Sequence, residues 1–364
     1  MKAAILRQFN GVFDIENISI DDPIGYEVLV QVKASGLCHS DLHAAQHDLG
    51  FFPVPSVFGH ELAGIVIEVG PDVSDFSVGD HVVGCLVRFC GHCSPCNSGH
   101  SYHCAHPDDT LRPSGQRQRL TQQGKPIHQI YGLAGFAEQA LVHENQLVRV
   151  PKAIPFPQAA VLGCATVTGA GAAINTASIR PGDTVAVVGA GGVGLNVISG
   201  AKLMGATRII ALDLNSSKLD LAKRFGATDV IDAGKVDPAD AVNALTGGGV
   251  DHAFEVVGLA STSIQAIRMT RRGGGAYLIG VHQPGSKIEL DVLGDILVPQ
   301  RRLEGVYMGS TNIKRDIPMY AELYLQGRIN LDDLISNEIS IDEINEAYRQ
   351  LGQGTIARSV ITSF

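Results

Sequence analysis

The chain has 364 residues, of which 45% are apolar and 42 are glycine. It is too long for one ordinary hydrophobic core and fits about two folded domains, which excludes a disordered chain. A formal net charge of −9, with no run of Lys and Arg, argues against nucleic acid as a partner.

In chain order, the first 150 residues carry the alternating runs YEVLVQVKASG, LAGIVIEVG and GDHVVG, which predict an antiparallel β-rich region. The polar stretch from 105 to 131 reads as a long surface loop. From about residue 165 the rhythm changes. TVAVVG (184–189) is a buried-type strand, a helix runs to Met204, RIIALD (208–213) is a strand, a second helix runs to Phe225, and DVID (229–232) follows. HAFEVVG, AYLIGV and LEGVYM supply further strands. Strands alternating with helices predict βαβ units and a parallel sheet. DIPMYAELYLQGRINLDDLI and IDEINEAYRQL read as helical, and SVITSF as a last strand. No segment reads as a membrane span, and the N-terminus turns polar too early for a secretory signal. A reducing, cytoplasmic compartment is therefore expected, where clustered cysteines are more often metal ligands than disulfides.

Gly189-Ala190-Gly191-Gly192-Val193-Gly194 follows a strand and opens a helix, and Asp213 closes the next strand nineteen residues beyond Gly194. This is a dinucleotide fingerprint in its full context. The glycines let the backbone approach a pyrophosphate at a helix N-terminus, and the acid accepts from ribose hydroxyls. A 2′-phosphate would meet the like charge of Asp213, so NAD is expected over NADP.

Four of the seven cysteines lie in FCGHCSPCNSGHSYHC (89–104). Alone, that stretch is compatible with a redox site, a nucleic-acid-binding zinc module, a catalytic metal centre or a structural staple. His92, His100 and His103 compete as ligands within it, but Cys90, Cys93, Cys96 and Cys104 give a closed tetrahedral set without help. Of the other three, Cys85 sits in an apolar strand-like run and reads as a small buried hydrophobe. Cys38, in GLCHSDLH, and Cys164, in LGCATVTGAG, need a partner to hold a metal. His60, in GHELAG, is the candidate.

GHELAGIVIEVGPDV fits the signature G-H-E-x2-G-x5-G-x2-V, the cysteine cluster fits C-x2-C-x2-C-x7-C, and GAGGVG with Asp213 fits a coenzyme domain. Together with GKPIHQIYGLAGFAEQALV, these motifs run over nearly the whole chain, which resembles the zinc-dependent medium-chain alcohol dehydrogenases. The resemblance implies an α/β protein. A GroES-like β-barrel catalytic domain covers 1–166 with 310–364, and a Rossmann NAD-binding domain of doubly wound parallel sheet covers 167–309. It implies NAD and two zinc ions per chain. Cys38, His60 and Cys164 hold the catalytic zinc, the Cys2His set known for such sites, and the four clustered cysteines hold a structural one. Glu61 lies beside the catalytic zinc, and Asp41 orients His60. Ser40 hydrogen-bonds the alcohol, and His43 ends a proton relay to solvent. His39, Lys218, Val257, Val281 and Arg358 join Gly189, Gly191, Gly192, Val193, Gly194 and Asp213 as cofactor contacts. Leu86, Ile130 and Met308, with Val281, line the substrate pocket. Ser40 is smaller than the Thr of some members, and Leu86 stands where Phe is common. That implies room for medium-chain, branched or aromatic alcohols. A thiol-adduct or formaldehyde-type dehydrogenase, a polyol dehydrogenase, a relative with a dead zinc site and a zinc-stapled binding protein are the competing readings. A homodimer or homotetramer is expected.

Overall fold

A computed structural model describes residues 1–48, 50, 52–113, 115–354 and 356–364. The chain divides into two compact units. One comprises Met1–Cys164, Asn312–Gly327 and Leu331–Phe364, and the other Ala165–Thr311 with Arg328–Asn330. The sequence placed the crossings after 166 and before 310. The first falls inside a continuous helical run, Phe156–Thr176, so no linker composition marks it. That run is also long and apolar enough to cross a membrane, unlike the sequence reading, but its most apolar window is 83% buried in the protein.

The first unit is built on the strand Glu27–Gly36. It pairs antiparallel with Glu61–Val69, Gln139–His143 and Ser359–Ser363. Neighbours on both sides explain why this strand is buried at most positions instead of alternating. A second sheet runs in the order Phe13–Asn17, Lys2–Leu6, Ser56–Val57, Lys125–Gln129, Leu120–Gln122, Ser19–Ile20. The β-rich, mainly antiparallel expectation matches this, with parallel pairs at Ser56–Val57 and Asn337–Ser340. The core is aromatic at its centre. Phe13 stacks on Tyr348 at 5.4 Å between ring centroids and meets Phe58 and Phe136 edge-on at 5.7 and 6.1 Å. Tyr348 lies on the helix Ile344–Gly352, so the tail of the chain completes the first core.

The 105–131 stretch is a surface loop only in part. The described residues before Arg119 are mostly exposed, Arg117 at 72% among them, but Leu120–Gln122 and Lys125–Gln129 form a hairpin, and Arg112 and Arg119 turn inward. Arg119 Nε donates to Glu27 at 2.7 Å, and Arg112 reaches both Glu27 and Asp21, at 2.6 and 2.5 Å. Polar composition concealed a buried ion network, because each charge has its partner. The tail helix also stops earlier than expected, as Ile313–Leu325, with Gly327 turning the chain.

In the second unit six parallel strands are β1 (Thr184–Val188), β2 (Arg208–Asp213), β3 (Asp229–Asp232), β4 (Val250–Glu255), β5 (Thr270–Leu278) and β6 (Arg302–Gly305). Their order is 3-2-1-4-5-6, the doubly wound arrangement whose ligands bind beyond the C-terminal strand ends. Helices α1 (Gly192–Leu203), α2 (Ser216–Phe225), α3 (Pro238–Thr246) and α4 (Ala260–Met269) connect them. Val188, Ile210, Leu212, Val242, Ala253 and Met269 pack into its core.

Candidate metal centre and dinucleotide site

Cys38, His60, Glu61 and Cys164 converge although they are far apart in sequence. One ligand atom from each lies within 4.8 Å of the others, and all four residues are buried. Cys38 precedes the helix His39–Gln46, Glu61 opens the strand Glu61–Val69, and Cys164 lies in the helical run after Phe156. Asp41, on that first helix and fully buried, accepts from His60 Nδ1 at 2.9 Å. The carboxylate thereby fixes the proton on Nδ1 and turns Nε2 toward the thiols, as a metal ligand needs. Ser40 Oγ donates to Cys38 Sγ at 3.1 Å and lies 3.4 Å from His60 Nε2.

The charges suit a cation. A hydrogen bond from Cys164 holds Cys38 well below the usual thiol range, with Arg358 and His60 adding to it. Cys164, the donor of that bond, is pushed up in turn. Burial raises Glu61 to about 7, against the pull of Arg358. A divalent ion replaces these shared protons and gives the buried thiolates their counter-charge. The donor set therefore fits zinc.

The cluster at 90–104 fits a closed zinc site on distance. Zn–S bonds of about 2.3 Å at tetrahedral angles put sulfurs about 3.8 Å apart. Cys93 lies 3.3 Å from Cys96 and 3.8 Å from Cys104, and Cys90 lies 4.0 Å from Cys96. Backbone N–H groups of Cys90 and His106 donate to Cys104 Sγ at 3.2 and 3.3 Å. Hydrogen bonds from the Ala105 and Cys96 backbone bring Cys93 down to about 6. His92 lies 3.7 Å from Asp109 at the rim and is not in the four-sulfur set. Burial pushes Cys85 up to about 12, as befits a core thiol.

In the second unit, Gly189 and Gly191 form the turn between β1 and α1. A Cβ on Gly194 would stand 1.9 Å from Gly189 O, so only glycine lets the helix start against the strand end. Asp213, at the end of β2, accepts from the backbone N–H of Ala190 and of Asn215, each at 2.9 Å. It anchors the fingerprint turn itself. Lys218 is half-buried on α2, while Val257 and Val281 are exposed beyond the ends of β4 and β5.

Several expected residues stand differently. Arg358, expected on a pyrophosphate, is 3% exposed; it donates to Leu37 O at 2.9 Å and pairs with Glu61 at 3.3 Å. The buried carboxylate draws it to the metal centre. Ile130 is 1% exposed within the aromatic core, so it packs and lines no open surface. The next residue, Tyr131, takes a left-handed backbone, φ 56°, and its ring meets His60 at 5.3 Å and Phe52 at 4.8 Å. Sequence reasoning missed Tyr131 and Phe52. Leu86 and Met308 are buried at 7%, and Thr168 donates to Met308 Sδ at 3.5 Å. His39 is exposed. Ser40's hydroxyl points at the metal cluster and not at His43. Burial, His47 and His39 hold His43 below the usual imidazole range, and its Nε2 has no partner among the described residues.

Known proteins share this fold. Residues 25–152 match the alcohol dehydrogenase GroES-like domain, and 192–325 match the zinc-binding dehydrogenase model. An Arabidopsis thaliana alcohol dehydrogenase-like protein is 35% identical over 99% of this chain and 95% of its own. A Burkholderia ambifaria alcohol dehydrogenase zinc-binding domain protein superposes with a TM-score of 0.94 at 37% identity, covering 100% of this chain and 98% of its own. A benzyl alcohol dehydrogenase from Acinetobacter calcoaceticus gives 0.93 at 34%, covering 100% and 99%. A zinc-binding dehydrogenase from Sinorhizobium meliloti bound to NADP gives 0.80 at 29%, covering 99% and 98%. The chain is a dehydrogenase with a GroES-like and a Rossmann domain, and it belongs to the zinc-dependent medium-chain alcohol dehydrogenase family.

Proposed function

We propose that the protein oxidises an alcohol reversibly with NAD at the Cys38–His60–Cys164 centre, with aromatic alcohols as its preferred class. The convergence of those three buried ligands, with the Ser40 hydroxyl 3.4 Å from His60 Nε2, carries the reading. When bound, zinc lowers the alcohol's pKa and the nicotinamide accepts hydride. The chain does the rest. Ser40 is the catalytic hydroxyl: it would accept the alcohol's proton while releasing its own toward solvent, so its oxygen stays neutral. Asp41 holds His60 in its ligand tautomer, Glu61 and Arg358 balance charge beside the thiolates, and His43 passes the proton to solvent. The aromatic preference rests on the Tyr131 ring beside His60, with Phe52 packed edge-on against Tyr131, and on the benzyl alcohol dehydrogenase among the structural neighbours. Asp213 supports NAD over NADP by charge, although one neighbour binds NADP.

The test is turnover on benzylic, medium-chain and polyol substrates with NAD and NADP, with and without an added thiol, beside a metal count per chain. Two zinc ions, a benzylic preference and a thiol-independent rate are expected. A thiol requirement indicates the formaldehyde-type alternative, and absent turnover a binding protein.

A second copy of the chain is part of the proposal. The edge strand β6 is exposed along its length, and the neighbouring segment exposes Leu293 at 60% and Leu297 at 64%. Antiparallel pairing of two copies about Leu303 sets Arg302 of each opposite Glu304 of the other. A homodimer in the cytoplasm is expected. Glu304→Arg places like charges across that pairing and should shift sedimentation toward monomer.

A further inference from the structure

The ends of β4 and β5 are joined by more than their strand ladder. The backbone N–H groups of Ile279 and Gly280 both donate to Glu255 O, at 2.8 and 3.1 Å. The fully buried Glu255 carboxylate accepts in turn from Val257 N, Gly258 N and the Thr262 hydroxyl, at 2.8, 2.7 and 2.8 Å. The two segments then lie backbone on backbone. A Cβ on Gly280 would stand 2.1 Å from Gly258 N, and one on Gly258 2.4 Å from Val281 O.

His282 closes this assembly from the far side. Its Nδ1 lies 2.9 Å from Gly280 O, and a carbonyl only accepts, so Nδ1 carries the proton. Nε2 is therefore the acceptor for the Ser263 hydroxyl, also at 2.9 Å. Ser263 is fully buried on α4. Its hydroxyl also lies 3.0 Å from Leu259 O, a carbonyl that accepts the Ser263 backbone N–H as well. With the imidazole proton on Nδ1, only the hydroxyl can supply the proton of the Ser263–His282 bond. Helix α4 holds His282, and His282 holds the peptide before Val281.

Val281 is the side chain being placed. It is 53% exposed, and Val257, 46% exposed, lies on the adjoining segment. The strand order says what they face. A dinucleotide with its adenosine ribose on Asp213, over β2, and its pyrophosphate at the start of α1 extends toward β4 and β5. The nicotinamide half therefore meets Val257 and Val281.

We propose that Ser263 and His282 form a latch, two positioning residues that fix the Gly280–Val281 backbone against the nicotinamide half of the cofactor. The proposal rests on the NAD reading above. Without the latch, the Val281 peptide must be ordered at the moment of binding.

The test compares two ligands on the zinc-loaded protein: NADH, and ADP-ribose, which lacks the nicotinamide. His282→Ala should weaken NADH binding about ten-fold, the factor for ordering about one backbone residue. ADP-ribose binding should stay within about two-fold. Ser263→Ala should lose part of the same factor, and the double variant should be no worse than His282→Ala. His282→Gln, which keeps a donor and an acceptor, should recover most of the loss. Equal weakening of NADH and ADP-ribose, or no weakening of either, overturns the latch. A parent protein that binds neither ligand overturns the NAD reading, and the latch with it.

Discussion

Asp41→Asn isolates the contribution of one buried carboxylate to the metal centre. In the parent, Asp41 and His60 are both fully buried and lie 2.9 Å apart, so no water can replace the bond. A hydrogen bond to a charged acceptor contributes about 1.5–3 kcal/mol, and a neutral one about 0.5–1.5 kcal/mol. The substitution should therefore cost about 1–1.5 kcal/mol, or roughly ten-fold in zinc affinity at the Cys38–His60–Cys164 site. That is the low end of the range for groups behind metal ligands, about 10–100-fold. Asparagine has a second failure. Turned to donate to Nδ1, it moves the imidazole proton to Nε2 and removes the lone pair the metal needs. Asp41→Ala leaves Nδ1–H buried without an acceptor, which adds about 1–3 kcal/mol and makes the larger defect. The assay is equilibrium competition for zinc with a chromogenic chelator. Two zinc ions per chain should leave the parent in separate steps, and Asp41→Asn should bring only one step to lower chelator. Superimposable release curves for parent and variant would refute the reasoning.

Three further outcomes are expected. Cys93→Ser should remove one zinc per chain and lower the melting temperature while NADH still binds, since the closed site stiffens a lobe outside the dinucleotide unit; an unchanged melting temperature counts against a structural role. Asp213→Gly should shift kcat/KM from NADH toward NADPH by about ten-fold or more, by removing one negative charge at the ribose; an unshifted ratio means that Asp213 serves only the Ala190 turn. Zinc-free protein should lose stability as pH rises. Burial holds Glu61 at about 7 in the fold, above its ordinary 4.5, so its neutral form favours folding. That contribution is fully present below about pH 4.5 and is gone above about pH 7, a loss on the order of 3 kcal/mol. Glu61→Gln should flatten the loss in thermal melts from pH 5 to 8, and a parent-like slope in the variant rules Glu61 out.

The sequence was legible where chemistry is written locally. Gly189 to Gly194 and Asp213 announce their turn because a strand, a helix and an acid at fixed distance all follow from one backbone path. The cysteines at 90–104 announce a metal site because four thiols share one short lobe. What was hidden depends on long-range partners. The arginines at 112 and 119 looked solvated until Glu27, some ninety positions earlier in the chain, proved to bury them. The pairing of Arg358 with Glu61, about three hundred positions apart, was equally invisible. Ile130 is buried for a more local reason. A left-handed backbone at Tyr131 turns that ring toward His60 and leaves Ile130 in the core, and a tyrosine gives no warning of a conformation that favours glycine. All three cases concern residues whose surroundings are set by what buries them. In this protein the candidate ligands can be read from motifs, whereas the residues that set charge and orientation around them become visible only when the strands from 27, 61 and 359 are brought side by side.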